Sequence, residues 1–272
     1  MMEELLFSLS AFAALLPSAF VALRRRDTGR GEEGRDGTFW LTLAVAVAGP
    51  LAWVIVKMSG AWQTGLSTTL WVTIAASMIV FAVLTVLNDK AWRLTPLLIP
   101  YMAVLAVFAI IWQHAPVSHP LANNSGVWVE AHILISVTTY ALVTIAAVAA
   151  LAAFLQERAL KTKRPTTLSR LLPSVAESES LLVRLLFIGE IVLGLGLATG
   201  IATQYQETGF FIHWDHKAIL SVTTFAVIGV LLSAHFISGV RGRKVTRLVL
   251  LAYLLLTLGY PGVKFVTDVL IG

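Results

Sequence analysis

Apolar residues recur along this chain in runs of about twenty, separated by short polar stretches. Eight runs can be laid out, at about 5–23, 39–57, 69–87, 94–112, 129–155, 181–203, 217–238 and 246–268. At about 1.5 Å of rise per residue, each is long enough to cross a hydrocarbon core of about 30 Å as a helix. The pattern predicts an all-α, polytopic membrane protein with about eight transmembrane helices, forming one integral membrane domain over residues 1–272. Pro17 interrupts the first run. The polar stretch 156–180, "QERALKTKRPTTLSRLLPSVAESES", predicts an extension of span five, a turn, and a short lead into span six. The stretch 113–128, "QHAPVSHPLANNSGVW", is rich in turn-forming residues. Gly196 and Gly200, four apart, predict close helix packing along span six.

Composition agrees with this reading. The chain is 57% hydrophobic and 13% charged, where soluble domains carry about 25% charged residues. Cysteine is absent, which excludes disulfides, thiolate metal sites, iron–sulfur ligation and cysteine nucleophiles. The pI of 9.7 reflects membrane topology rather than a nucleic-acid partner. Seventeen of the twenty Lys and Arg fall at 24–35, 90–93, 158–170, 241–247 and at Arg184, all on one side of the alternating spans. Only Lys57, Lys217 and Lys264 fall on the other. By the positive-inside rule the first side is cytoplasmic and both termini lie outside. Glu3 and Glu4 precede the first run and Arg24, Arg25 and Arg26 follow it, the order of a signal anchor rather than of a cleavable signal peptide.

The candidate chemistry collects on the outer side. His114, His119, His132, His213 and His216 fall there or at outer span ends, and His235 lies near the inner end of span seven. Histidine is the commonest metal ligand. His132 in "WVEAHILISVTTY" and His216 in "WDHKAILS" enter spans five and seven at similar depth, the arrangement that a bis-histidine haem requires. Trp112, Trp128, Trp214, Phe210 and Phe211 lie near the same interface, where they either wall a porphyrin or form the aromatic belt of a membrane protein. Lys217 is placed to pair with a propionate or to snorkel. Asp215 or Glu130 is placed to accept the second ring proton of a ligating histidine. Glu190, in "FIGEIVLGLG", is the one acid well inside a span, and the bland expectation is a buried hydrogen bond with Tyr140 or a span-end arginine. There is no glycine-rich phosphate loop, no HExxH motif and no arginine-rich span.

Several segments together resemble the cytochrome c assembly membrane family (CcsA/CcmC type). "WVEAHILISVTTYALVTIAAVAALAAFLQERALK" is similar to the span that carries the family's first outer histidine, and "LLVRLLFIGEIVLGLGLATGIA" to the next span. "HWDHKAILSVTTFAVIGVLLSAHF" is similar to its "WDPKE" segment and following span. "GVRGRKVTRLVLLAYLLLTLGYPGVKFVTDVLIG" resembles the YpjD-like branch. The resemblance covers about 128–272. It implies a haem-handling protein of the bacterial inner membrane, holding a bis-histidine haem b near the outer face. The implied site residues are His132 and His216 as ligands, with His213, Trp128, Trp214 and Lys217 around them. Haem, membrane lipid and other cytochrome assembly or respiratory membrane proteins are the implied partners. "WDPKE" reads "WDHKA" here, and no second outer histidine precedes the last span. The implied role is therefore haem binding or an accessory function rather than that of a complete haem lyase. The alternative is a membrane scaffold or transport accessory subunit without haem.

Overall fold

A computed structural model describes residues 2–24, 35–58, 65–113, 127–209, 215–239 and 242–266, and its regular elements are all helices, with no strand among these residues. Eight helical stretches among them are long and apolar enough to span a membrane: Glu3–Leu23, Gly37–Met58, Leu66–Leu87, Ala91–Ile111, Val127–Thr162, Val175–Gln206, His216–Ser238 and Lys244–Gly262. Each coincides with one of the eight apolar runs, the last ending at Gly262, short of the expected 268. The protein is an all-α, polytopic membrane protein.

The first span is two helices, α1 (Met2–Ala13) and α2 (Leu16–Arg24). Pro17 explains the break. Proline has no N–H, and its ring collides with the carbonyl four residues earlier, here Ala13, where α1 ends. Helix α3 (Gly37–Met58) packs against both halves. Gly49 meets the break at close range, since a Cβ at position 49 would stand 2.4 Å from Ala14 Cβ. Helix α4 (Leu66–Leu87) turns through a 3₁₀ segment, Ala91–Leu94, into α5 (Thr95–Ile111).

The interior mixes large side chains, such as Trp53, Trp71 and Phe81, with small and hydroxyl-bearing ones. Buried Thr69 and Thr73 of α4 donate their hydroxyls to carbonyls one turn back, at 3.1 and 2.8 Å. Leu87 and Ile237 instead stand 79% and 85% exposed, toward lipid. Lipid tails are as apolar as leucine, so burying leucine against another helix gains little, and small residues that bring backbones together decide the packing. Helix α6 (Val127–Thr162) shows this most fully: every residue from 139 to 150, in a stretch rich in alanine, is buried.

Beyond α6 the 156–180 stretch is built as its sequence predicts. α6 runs on to Thr162, and a short α7 (Thr167–Leu171) follows the turn. The Gln156 side-chain amide donates to the carbonyls of Ser169 at 2.6 Å and of Leu172 and Pro173 at 3.1 Å, and so pins the loop to α6. Helix α8 (Val175–Thr208) opens with a reciprocal cap, in which the Ser174 and Glu177 side chains each accept the other's backbone N–H, and it ends at Gly209 in the left-handed conformation. α9 (His216–Ser238) and α10 (Arg243–Thr257) follow. The chain then passes through a π-turn, Leu258–Gly262, holding buried Pro261, into α11 (Val263–Phe265).

Helix α8 packs along α6 and α9, and α10 also packs along both. These four therefore form a square in which α6 and α9 occupy a diagonal. Inside the bundle the Tyr140 hydroxyl of α6 lies 3.1 Å from Thr257 Oγ1 and 3.2 Å from the Tyr253 hydroxyl of α10. Tyr253 in turn bonds Tyr101 of α5. This hydroxyl cluster ties three spans together.

Candidate functional site

His132 is the sixth residue of α6, about 7.5 Å along the helix from its start. Its ring is half-buried against α8. An ideal Cβ at Gly200 would stand 3.1 Å from His132 Cε1, and one at Gly196 would stand 3.4 Å from Ile135 Cγ2. The two glycines thus make the groove in which an imidazole lies on the backbone of α8. Close packing at Gly196 and Gly200 is what their spacing predicts. That the groove holds a histidine ring is what the tertiary structure adds.

The hydrogen bonds fix the tautomer. His132 Nδ1 lies 3.1 Å from the Gly196 carbonyl oxygen and 3.3 Å from Thr199 Oγ1. A carbonyl can only accept, so Nδ1 carries the proton and Nε2 keeps its lone pair. Ser136 Oγ, one turn on, stands 3.5 Å from Nε2, at the outer limit of a hydrogen bond. An imidazole whose Nδ1 donates to a backbone carbonyl, and whose Nε2 meets a serine hydroxyl at the limit of hydrogen-bond distance, has the form of a metal-ligating histidine. The residues present at this position fit a haem iron.

His216 is the first residue of α9 and is exposed. It therefore sits on the helix diagonal to that of His132, and α8 and α10 are the helices common to both. Asp215 caps the helix: its Oδ1 accepts the Ala218 N–H at 2.7 Å. Lys217 and Trp128 are exposed, and so is Glu130. Trp112 is half-buried and packs edge-on against Phe265 with ring centroids 5.4 Å apart, within the bundle. His213 and Trp214 lie outside the described residues, as do His114, His119, Phe210 and Phe211.

Glu190 does not have the partner expected for it. The Tyr140 hydroxyl is engaged by Thr257 and Tyr253, and no arginine pairs with Glu190 among the described residues. Its Oε2 is buried with no hydrogen-bond partner. Gly229 of α9 makes the room: a Cβ there would stand 3.1 Å from Glu190 Oε1. Glu190→Gln keeps the shape and breaks no bond to Oε2, so its thermal unfolding in detergent is expected within about 1 kcal/mol of wild type. A variant that folds normally yet loses function assigns Glu190 a proton or cation role.

The family described as Cytochrome C assembly protein matches residues 39–271. The match takes in spans two to four, upstream of the motif-bearing part from about 128. An uncharacterized 28.8 kDa protein of Azospirillum brasilense is 54% identical over 272 residues, the full length of both chains. The inner membrane protein YpjD of Escherichia coli K12 is 28% identical over 196 residues, covering 71% of this chain and 72% of its own. No solved structure matches.

Proposed function

The chain belongs to the cytochrome c assembly protein family, and from that premise we propose that it binds haem near the outer face of the bacterial inner membrane. The observation that carries the proposal is His132, its Nδ1 held by the Gly196 carbonyl and its Nε2 met by the Ser136 hydroxyl at 3.5 Å, beside the Gly196–Gly200 groove. His132 would supply one ligand to the haem iron, and His216, with His213 as its rival, would supply the other. Lys217 and Trp128 stand at the same end as the partners for a propionate and a porphyrin edge. When bound, haem supplies one-electron iron chemistry and is itself the group to be handed on. The chain's own part is to hold the ring at the membrane surface and to fix the ligand tautomer. With two strong ligands the iron has no open position, which suits storage or relay of haem better than its covalent attachment.

The exposure of His216 is the observation that favours the other reading, a scaffold or transport accessory subunit without haem. Detergent-purified protein from haem-replete cells decides between them. A Soret band that survives size-exclusion chromatography is the expected result, and its absence leaves the scaffold reading.

The side on which the site lies follows from charge. With seventeen of the twenty Lys and Arg on one set of loops, a reporter fused after Gly272 is expected to read as non-cytoplasmic. A cytoplasmic readout would move His132 and His216 to the inner face.

A further inference from the structure

At the opposite end from the histidine pair, the start of α8 and the end of α9 part around a cavity of about 520 Å³. Its walls carry Arg184, His235, Ser180 and Glu179, and its apolar side is Phe187 with Phe236, edge to face with centroids 6.5 Å apart. Arg184 is exposed and makes no ion pair among the described residues. Glu179 is already engaged, its Oε1 accepting the Gly242 N–H at 2.9 Å, which ties the start of α10 to α8. This end of the bundle carries the loops with most of the Lys and Arg.

From the juxtaposition of Arg184, His235 and Ser180 with the Phe187–Phe236 pair in one cleft, we propose a binding site for the headgroup of an anionic phospholipid. The chemistry recognised is a phosphate diester that bears a net negative charge. The Arg184 guanidinium offers planar, charged N–H donors matched to phosphate oxygens. Ser180 and His235 add shorter-range donors. The aromatic pair supplies an apolar surface for the glycerol and the first acyl carbons. A free anion has no use for that surface, which is why a lipid is the occupant. A second cavity of about 520 Å³ lies against the same two helices, with Phe225, Val230 and Ile237 on its apolar side and Glu190 and Ser233 in its polar lining, and its apolar side leaves room for the chains. Basic pockets between spans on the cytoplasmic side are where anionic lipids are held. The site is independent of haem binding, since none of its residues belongs to the His132 groove.

The test uses the full-length, detergent-purified and delipidated protein. Phosphatidylglycerol and phosphatidylcholine are titrated separately, and bound lipid is counted by native mass spectrometry. Wild type is expected to hold phosphatidylglycerol at least about tenfold more tightly than phosphatidylcholine, which carries the same phosphate but whose choline cation cancels the net charge and is repelled by Arg184. Arg184→Gln, at an exposed position where the fold does not depend on the side chain, is expected to lose that preference. Arg170→Gln, an exposed basic residue of the same end outside the cavity, is expected to keep it. Equal binding of the two lipids by wild type overturns the proposal, as does an unchanged preference in Arg184→Gln. Displacement of phosphatidylglycerol by excess inorganic phosphate makes this a free-anion site and overturns the lipid assignment.

Discussion

Replacing His132 by alanine is expected to abolish the six-coordinate, low-spin haem spectrum of the purified protein while leaving it folded. Its Nε2 holds the lone pair that would bind the iron, and without it one of the two histidine ligands is lost and the iron would be left five-coordinate. The fold survives because the ring is half-buried and near an interface where water replaces it. The Gly196 carbonyl still accepts the Thr199 hydroxyl at 3.0 Å, so no buried acceptor is orphaned. The same geometry predicts a graded partner. Gly200→Val puts a branched side chain where even a Cβ would stand 3.1 Å from Cε1. The ring is then pushed off the carbonyl that orients it, and loss of such an orienting bond costs about 10–100-fold in affinity. Haem titration of the apoprotein reads both variants. Retention of a six-coordinate spectrum by His132→Ala would remove His132 from the site. His216→Ala and His213→Ala, compared in the same way, identify the second ligand, and variants of His114 or His119 are expected to leave the spectrum unchanged.

Gly49→Ala is expected to lower thermal stability in detergent by about 1–3 kcal/mol, the cost of overpacking a well-filled interior. The added methyl would stand 2.4 Å from Ala14 Cβ, a separation that atoms cannot hold, and Ala14 Cβ is fixed to the backbone and cannot rotate away. Either α1 or α3 must move. Movement of α1 also strains the contacts that dock it: the Trp53 indole N–H donates to Ser8 Oγ at 3.0 Å, and the Ser8 hydroxyl donates to Gln113 Oε1 at 2.8 Å. Lys57 and Glu4 pair at the same end. Gly37→Ala is the control, since nothing lies within 4 Å of a Cβ there. Equal melting of the two variants would show that α1 and α3 do not approach so closely.

Where the histidines and the acid sit was legible along the chain, but their partners were not. Asp215 reads equally as a histidine's second partner and as a helix cap, because both need a carboxylate at that position, and the structure shows the cap, with the Ala218 N–H within its reach. Tyr140 and Glu190 are both span residues that want a hydrogen bond, and pairing them is natural on paper. The structure instead sends the Tyr140 hydroxyl across to α10 and sets Glu190 opposite Gly229 of α9. Helical periodicity says which residues share a face of one helix, and is silent on which neighbour that face meets.

The sequence by itself determined the membrane class, the eight spans, the break before Pro17 and the small-residue face of span six. Each follows from a local rule with a fixed length or spacing: the thickness of a bilayer, the missing N–H of proline, the four-residue repeat of a helix face. The motif resemblance reached back only to about 128, whereas the family match begins at 39. Only the tertiary structure decided that α6 and α9 lie on a diagonal, that the His132 ring fills the Gly196–Gly200 groove, and that its Nδ1 meets a backbone carbonyl of α8. Those contacts join residues more than sixty positions apart in the chain. In lipid they are selected by close fit between helices, and close fit is a property of two surfaces together that neither span's sequence carries alone.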